Sequence, residues 1–392
     1  MTQLYNILHT TGLGQGGLET YALRVLNSLS RDKFRIFVAY HPPLNQFELL
    51  PEDAIRIQFL GKNASAFTLW RDLNRLGKLR RFIKKHNIQL IHTEGSGVSA
   101  IYGQALARLA NIPVVHTYQH SSAVWSRTDR VIASNPLFRK FFYGLVDCFV
   151  AAGKIFADEL VSDWKIPKEK IYLNYHSADI ELFKPLSPDE REKAAKEIGA
   201  DRFSHRIGYI GRPDPVKGLG TLFELTAALK KHLPKIGLLA FGVTIDDLDF
   251  KERVQSLGIE ENVAFYGIRR DLYRTGQAMD MYVQAGHYPL LGFTSIEMNA
   301  CGIPHSVIIR EERDKYAAQE TTIENENGIF IDVREMEKSA AKLAKTLQDR
   351  ELLRKMGERS RMLAEERFDW REHIKRLENL YIALIEEGRI PE

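Results

Sequence analysis

Two cationic side chains follow a short apolar stretch in the second half of the chain, in the segment RIGYIGRPDPVKG. Arg212 comes directly after Gly211, and Lys217 stands just before a predicted helix. A strand, loop and helix in this order place the loop at the carboxyl end of the strand, where open parallel sheets bind their ligands. Arg212 and Lys217 together could neutralise a pyrophosphate without a metal ion. For either residue alone, a surface cation in a loop is the simpler interpretation.

A second segment, HYPLLGFTSIEMNACGIP, places a glycine before another predicted helix. Gly292 and Phe293 precede a helix that we expect to begin near Thr294, and the N–H groups at such a start attract a phosphate. Glu297, one turn into the helix, could accept hydrogen bonds from ribose hydroxyls. The spacing Thr294-x-x-Glu297 also matches a capping box, which would bind Glu297 back to the helix start. Spacing alone favours the capping box.

A glycine run near the N-terminus, GLGQGGLETYALRVL, contains the pattern G-x-G-x-x-G at Gly12, Gly14 and Gly17. A nicotinamide cofactor would need an acidic residue at the end of the next strand, FRIFVAYHPP, which has neither an acid nor a replacing arginine there. Gly16 and Gly17 directly precede a predicted helix, whose N–H groups would attract a phosphate. The run therefore indicates either a phosphate-binding loop or a tight turn without a ligand.

Short apolar strands alternate with helices along most of the chain, as in parallel sheets. The polar, proline-containing segment IYLNYHSADIELFKPLSPDE separates two such series, and the last part of the chain is helical and charged. We therefore predict an α/β protein with two Rossmann-like parallel-sheet domains, residues 1–175 and 176–366, followed by a helical segment at 367–392. The cleft between two such domains is the expected ligand site.

The composition fits a soluble globular enzyme of two or three domains, since 44% of the 392 residues are hydrophobic and 27% are charged. No apolar run approaches the roughly 20 residues that span a bilayer, and no signal-peptide pattern is visible. The two cysteines, Cys148 and Cys301, are too few for a disulfide framework or a structural zinc site. We expect a cytoplasmic protein.

The net charge of +4 conceals a basic first part, up to Pro167, and an acidic remainder. The densest basic run, TLWRDLNRLGKLRRFIKKHN, places apolar residues at helical spacing and cations between them. Such a basic amphipathic helix could lie against anionic lipid headgroups. A surface helix with solvated cations is the simpler interpretation. Because the run lacks interleaved stacking aromatics, no nucleic-acid partner is predicted.

Six short motifs in one order make the chain resemble the retaining family-4 glycosyltransferases of the GT-B fold over nearly its whole length. The motifs are GGLE from Gly16, NYHSADIELFKP from Asn174, GR at Gly211 with KG at Lys217, VAFYG ending at Gly267, IEMNACGIP from Ile296, and FDW from Phe368. The resemblance implies two domains facing across a cleft, with a C-terminal helix that crosses back to the N-terminal domain. It also favours functional roles over the simpler interpretations of Arg212, Lys217 and Glu297.

The resemblance further implies a nucleoside diphosphate sugar on the C-terminal domain, an acceptor on the basic N-terminal domain, and transfer with retention. A histidine near the tip of an N-terminal strand is typical of the family, and we assign this role to His120 because His116 falls within the strand. The implied catalytic residues are Arg212, Lys217 and His120, and the implied donor-binding residues are Gly16, Gly17, Gly211, Gly267, Gly292, Phe293, Thr294 and Glu297.

One departure from the family pattern concerns its Glu-x7-Glu pair, whose first member contacts the donor sugar. Pro289 stands at that position, and the neighbouring glycine motif is changed to Leu290-Leu291-Gly292. Two alternatives therefore stay open: a degenerate, non-catalytic nucleotide-binding protein, and a nucleotide-sugar epimerase or hydrolase of the same fold.

The resemblance favours UDP over GDP as the donor nucleotide, with no metal and no further cofactor. The predicted acceptor is a glycan or lipid-linked molecule of polysaccharide or glycoconjugate synthesis. The basic N-terminal domain adds the prediction of peripheral contact with the inner face of the membrane.

Overall fold

The computed structural model describes residues 4–13, 17–44, 46–59, 73–94, 98–119, 135–287 and 291–391. The chain divides into two compact units: Met1–Tyr175 with Glu372–Glu392, and His176–Arg371. Each unit contains a parallel sheet, so the predicted α/β class with two Rossmann-like domains is confirmed. None of the helices in the described ranges is long and apolar enough to cross a bilayer.

The sheets contain seven and six strands, in the orders β3-β2-β1-β4-β5-β6-β7 and β10-β9-β8-β11-β12-β13. The strands are β1 Tyr5–Leu13, β2 Phe34–Leu44, β3 Ile55–Gln58, β4 Leu90–Glu94, β5 Val114–Tyr118, β6 Cys148–Ala151, β7 Ile171–Leu173, β8 His205–Ile210, β9 Ile236–Phe241, β10 Val263–Phe265, β11 Met281–Gln284, β12 His305–Ile309 and β13 Gly328–Asp332. Strand β7 lies in the segment that the sequence analysis assigned to the linker, because three residues are too few to show a periodicity.

Helices connect the strands and cover the sheets. They are α1 Gly17–Ser28, α2 Leu73–Lys85, α3 Val98–Ala110, α4 Pro136–Gly144, α5 Lys154–Ser162, α6 Pro188–Glu197, α7 Leu219–Lys230, α8 Phe250–Ser256, α9 Leu272–Thr275, α10 Phe293–Ala300, α11 Glu312–Ala318, α12 Met336–Gln348, α13 Arg350–Arg367 and α14 Trp370–Glu386.

The last helix, α14, packs on the sheet of the first unit. Its buried residues recur at helical spacing and form an apolar stripe: Ile374, Leu377, Leu380, Tyr381 and Leu384. Glu378 accepts a bond of 2.8 Å from Lys33 Nζ, and Tyr5 hydrogen-bonds to Glu386. Residues far apart in sequence therefore complete the first unit.

The second unit has an apolar core that runs through its central strands. Leu238 in β9, Val283 in β11 and Ile308 in β12 are fully buried. Helices α7 and α12 pack on this core through Leu222 and Leu343. A rigid sheet of this kind fixes the positions of the loops at its carboxyl edge, where the candidate residues lie.

Candidate functional site

The loop after β8 places Arg212 at the carboxyl edge of the second sheet. Gly211 N donates to Phe241 O of the neighbouring strand at 3.1 Å, so the sheet pairing continues up to the start of the loop. The Arg212 guanidinium is exposed and forms an ion pair of 3.1 Å with Asp214. Asp214 also accepts from Val216 N at 3.0 Å and thereby caps the short turn Pro215–Lys217. Asp214 thus orients both the cation and the turn.

Lys217 ends that turn and remains in contact with solvent. Desolvation lowers the pKa of its ammonium, and the Arg212 charge lowers the pKa further, whereas Asp214 raises it. Two neighbouring cations that repel each other favour binding of an anion, which relieves the repulsion. This electrostatic arrangement fits the pyrophosphate predicted from the sequence.

Gly218 brings the β8 loop against the loop after β11. Its φ of +73° lies in the left-handed region, and a Cβ atom there would clash with the carbonyl oxygen of Ala285. The two loops are also joined by a bond of 2.9 Å from His287 N to Val216 O. The glycine of the predicted Lys-Gly motif is therefore required for close contact between loops.

Arg310, directly after β12, joins the loop after β11 to the first turn of α7. Its guanidinium donates to Ala285 O at 2.9 Å, to Gly286 O at 3.1 Å and to Thr221 Oγ1 at 3.3 Å. Burial lowers the pKa of this half-buried side chain. Arg310 was not predicted from the sequence, because its partners lie far from it in the chain and no local pattern marks them.

The ends of β9 and β10 contribute backbone to the same edge. Gly242 N donates to Gly267 O at 2.6 Å, and Gly267 N donates to Val243 O at 2.9 Å. Gly211 lies so close to Gly242 that a Cβ on Gly242 would clash with Gly211 O. Gly211 and Gly267, two of the predicted donor-binding residues, therefore belong to one backbone cluster.

Helix α10 begins at Phe293, with Gly292 as its N-cap residue and no side-chain cap. The capping box that spacing alone favoured is therefore wrong: Thr294 lies inside the helix, and the capping position holds a glycine without a side chain. The first N–H groups of a helix have no partner within it and can bind an anion. Glu297 lies one turn into the helix and is half-buried. The Phe293 ring contacts the ring of His176, with centroids 4.4 Å apart.

Five positions discussed from the sequence lie outside the described residues: Gly14, Gly16, His120, Pro289 and Leu290. Gly17 is the first residue of α1. His116 lies within β5, as the sequence analysis assumed when it chose His120. The His116 ring is buried and bonds to Thr93 Oγ1 at 2.8 Å, and this burial lowers the pKa of His116 to about 4.

A buried polar cluster lies on the opposite face of the first sheet. His9, His92 and Glu94 offer ligand atoms within 4.8 Å of one another, a spacing that a metal ion could use. However, His92 Nδ1 bonds to Tyr381 Oη, and its Nε2 bonds to Thr117 Oγ1 at 2.7 Å. Because both ring nitrogens are in use, we interpret the cluster as a structural network that fastens α14 to the sheet.

Comparison with known families gives two matches along the chain. Residues 15–182 match the family described as Glycosyltransferase Family 4, and residues 190–362 match the family described as Glycosyl transferases group 1. The two matches together span most of both units.

Two curated relatives are about a quarter identical to this chain over the aligned residues. Mannosylfructose-phosphate synthase of Agrobacterium fabrum is 28% identical over 258 residues, which cover 58% of this chain and 56% of the relative. The chain thus spans about half the length of that relative. D-inositol 3-phosphate glycosyltransferase of Segniliparus rotundus is 24% identical over 353 residues, which cover 87% of this chain and 75% of the relative.

Solved structures share the fold over nearly the whole chain. A glycosyltransferase from Rickettsia africae has a TM-score of 0.77 and 20% identity, covering 98% of this chain and 99% of its own. Anabaena HepE, solved in complex with UDP, has a TM-score of 0.77 and 18% identity, covering 97% of this chain and 100% of its own.

Proposed function

The chain is a family-4 glycosyltransferase of the GT-B fold, and we propose that it moves a sugar from a nucleoside diphosphate sugar to a glycan or lipid-linked acceptor. The proposal favours UDP over GDP and includes retention of the anomeric configuration. The observation that carries it is the grouping of Arg212, Lys217 and the start of α10 at one edge of the second sheet. The UDP complex of HepE supports a nucleotide at this fold.

In the proposed reaction the acceptor oxygen attacks the anomeric carbon from the face that the diphosphate leaves. The bond from that carbon to the diphosphate oxygen breaks, and the departing phosphate takes the acceptor proton. Arg212, Lys217 and the N–H groups at the start of α10 stabilise the negative charge that develops on the leaving group. Asp214 keeps the Arg212 guanidinium in place for this purpose. These groups supply the positive charge, so the proposed transfer takes place without a metal ion.

The acceptor side of the proposal rests on the first unit. We assign His120 to the acceptor side of the reaction. The basic character of the first part of the chain favours an anionic or lipid-linked acceptor, as in polysaccharide or glycoconjugate synthesis, and peripheral contact with the inner face of the membrane.

Pro289 gives the alternatives a specific basis, because it replaces the carboxylate that contacts the donor sugar in the family. An epimerase or hydrolase would convert a nucleotide sugar without an acceptor, and a degenerate member would bind nucleotide without turnover. Product analysis with and without acceptor distinguishes these cases from transfer.

The test of the donor site is calorimetric titration with UDP, GDP and NAD, without added metal. We expect micromolar binding of UDP that is lost in Arg212→Ala. Arg334→Ala is the matched control, because Arg334 is also a surface arginine paired with an aspartate two residues away, Asp332, at 2.6 Å. Binding of NAD alone, or equal loss in both variants, would contradict the assignment.

A further inference from the structure

Three neighbouring helices of the first unit, α2, α3 and α4, contain cations and no acidic residue. Their cations are Arg75, Lys78, Arg80, Arg81, Lys84, Lys85, Arg108, Arg139 and Lys140. Helix α3 packs against both α2 and α4, and Arg108 donates to Gly144 O at the end of α4 at 3.2 Å. The three helices therefore form one continuous layer, which we call the basic face.

The cations of α2 stand in solvent. Lys78, Arg80, Arg81, Lys84 and Lys85 are all exposed, and none forms an ion pair with another residue in the part of the chain that the structure describes. Arg108 differs, because it pairs with Asp147 at 3.3 Å. The positive charge of α2 is thus available to an external anionic partner.

The basic face also exposes large apolar side chains. Leu137 and Phe141, one helical turn apart on α4, are 78% and 62% exposed, and Leu109 at the end of α3 is 68% exposed. Among the large apolar side chains in the described ranges, only that of Ile268 is more exposed than that of Leu137. A group of exposed apolar side chains marks an interaction surface more often than an isolated one does.

We propose that the basic face docks on a lipid bilayer with anionic headgroups, with Leu109, Leu137 and Phe141 entering the boundary between headgroups and acyl chains. Charge complementarity favours this partner, since a surface of cations without acids matches a continuous anionic sheet. Apolar side chains among cations are the composition that binds such an interface. The inference rests on the proposed function in one respect: a lipid-linked acceptor would then meet the enzyme at this surface.

The test is co-sedimentation of the full chain with vesicles of phosphatidylglycerol and phosphatidylcholine, compared with phosphatidylcholine alone. We expect binding only to the anionic vesicles. The pair Leu137→Ser/Phe141→Ser should weaken it about tenfold, and Lys84→Glu/Lys85→Glu by a similar factor. Matched controls on the second unit, Met362→Ser for an exposed apolar side chain and Lys193→Glu/Lys196→Glu for exposed cations, should bind as the unaltered protein does.

Three outcomes would overturn the proposal: no binding to anionic vesicles, equal binding by the basic-face variants, or equal weakening by the controls. A change in oligomeric state of Leu137→Ser/Phe141→Ser without lipid would show that a second copy covers the surface instead. Thermal melting checks that each variant is folded. UDP titration of the same variants separates the two proposals, because loss of vesicle binding should leave nucleotide binding unchanged.

Discussion

The two units are built on the same parallel-sheet plan, but the central strands differ in chemistry. In the first unit β1, β4 and β5 each carry a His-Thr pair, beginning at His9, His92 and His116. In the second unit the inner strands β9 and β12 are buried along their whole length; β9 is apolar throughout, and β12 has His305 and Ser306 before three aliphatic residues. A polar sheet centre must satisfy every buried donor and acceptor, whereas an apolar centre only has to pack.

The polar side chains of the first sheet serve both of its faces. His9 is level with His92 on the face covered by Tyr381, and His116 is level with Thr93 on the face covered by α3, where Gln104 lies. Because the side chains of this network bond to one another, the hydrogen bonds of each one depend on the protonation of its neighbours. The second unit instead places the polar side chains that we assign to function in loops at the sheet edge, and its fully buried strand β12 carries one histidine, His305.

The surfaces of the two units also differ, in whether their cations are paired with acidic residues. On α13 cations pair with acids along the helix: Arg354 with Glu351 and Glu358, and Arg361 with Glu365. The basic face has no acids within its helices. Exposed pairs contribute little to stability, so the difference concerns what each surface attracts.

The largest expected effect is a difference between the two units in how their stability depends on pH. Burial lowers the pKa of His116 and His373 to about 4 and lowers that of His92 well below 6.5. Between pH 6.5 and 4 the unfolded chain therefore binds more protons than the folded chain does. As the pH is lowered through this range, the free energy of unfolding decreases by about 1.4 kcal/mol per histidine and pH unit. His305 is a comparable histidine of the second unit. We expect the first unit to lose stability more steeply below pH 6.5.

Hydrogen-exchange protection factors, which correct for the pH dependence of intrinsic exchange, measure this difference at pH 7 and pH 5 in peptides from β4 and β5 compared with peptides from β9 and β11. His116→Asn should reduce the pH slope of the first unit by about the contribution of one histidine. An equal loss of protection in both units between pH 7 and pH 5 would contradict the comparison.

The second prediction, with the next largest effect, concerns the two cations in the loop after β8 of the second unit. Arg212→Ala or Lys217→Ala removes one positive charge from the leaving group, and we expect turnover to fall about a hundredfold, equivalent to about 3 kcal/mol. The measurement is the rate of sugar transfer with the donor that product analysis identifies. Full turnover in both variants would exclude them from the reaction.

Sequence patterns predicted the sheets because each strand is marked locally. The segment IGYIG, for example, is an apolar run bounded by Arg206 and Arg212, and it lies at the end of β8. Strand β7 lacked such a signal because of its length. The capping box failed by two residues: it placed the N-cap at Thr294, but the N-cap of helix α10 is Gly292, and a local pattern cannot decide between such close starts.

The parts of the site that could not be predicted depend on contacts between distant residues. Arg310 has no special local spacing, and only the adjacency of β8, β11 and β12 gives it partners. Asp214 bonds to Arg212, two residues away, but no motif marked this aspartate. The exposure of Leu137 and Phe141 was also not predictable, since the amphipathic pattern of PLFRKFFYG places apolar residues against a core.

A third prediction concerns the contact between loops at Gly218. Gly218→Ala should destabilise the second unit by about 2 kcal/mol or more and weaken UDP binding. The new Cβ clashes with Ala285 O, and the left-handed backbone conformation adds strain for a residue with a side chain. Gly199→Ala is the matched control. Its φ is +66° and nothing lies near its Cβ, so only strain of about 1 kcal/mol is expected. Urea unfolding and UDP titration measure both quantities, and equal effects in the two variants would show that the contact between loops is unimportant.

The smallest expected effect comes from a helix cap of the second unit, whose loss should lower stability without changing nucleotide binding. Ser187 caps α6, since it accepts from Glu190 N at 3.3 Å while Glu190 bonds back to Ser187 N at 2.9 Å. Ser187→Ala should cost about 1 kcal/mol of unfolding free energy and leave UDP binding unchanged, because the cap lies on a surface helix away from the loops. Ser256→Ala, at the last residue of α8, removes only an exposed bond to Arg253 O and should change neither quantity. If Ser187→Ala weakened nucleotide binding, the second sheet would not be the rigid support that the comparison with the first unit assumes.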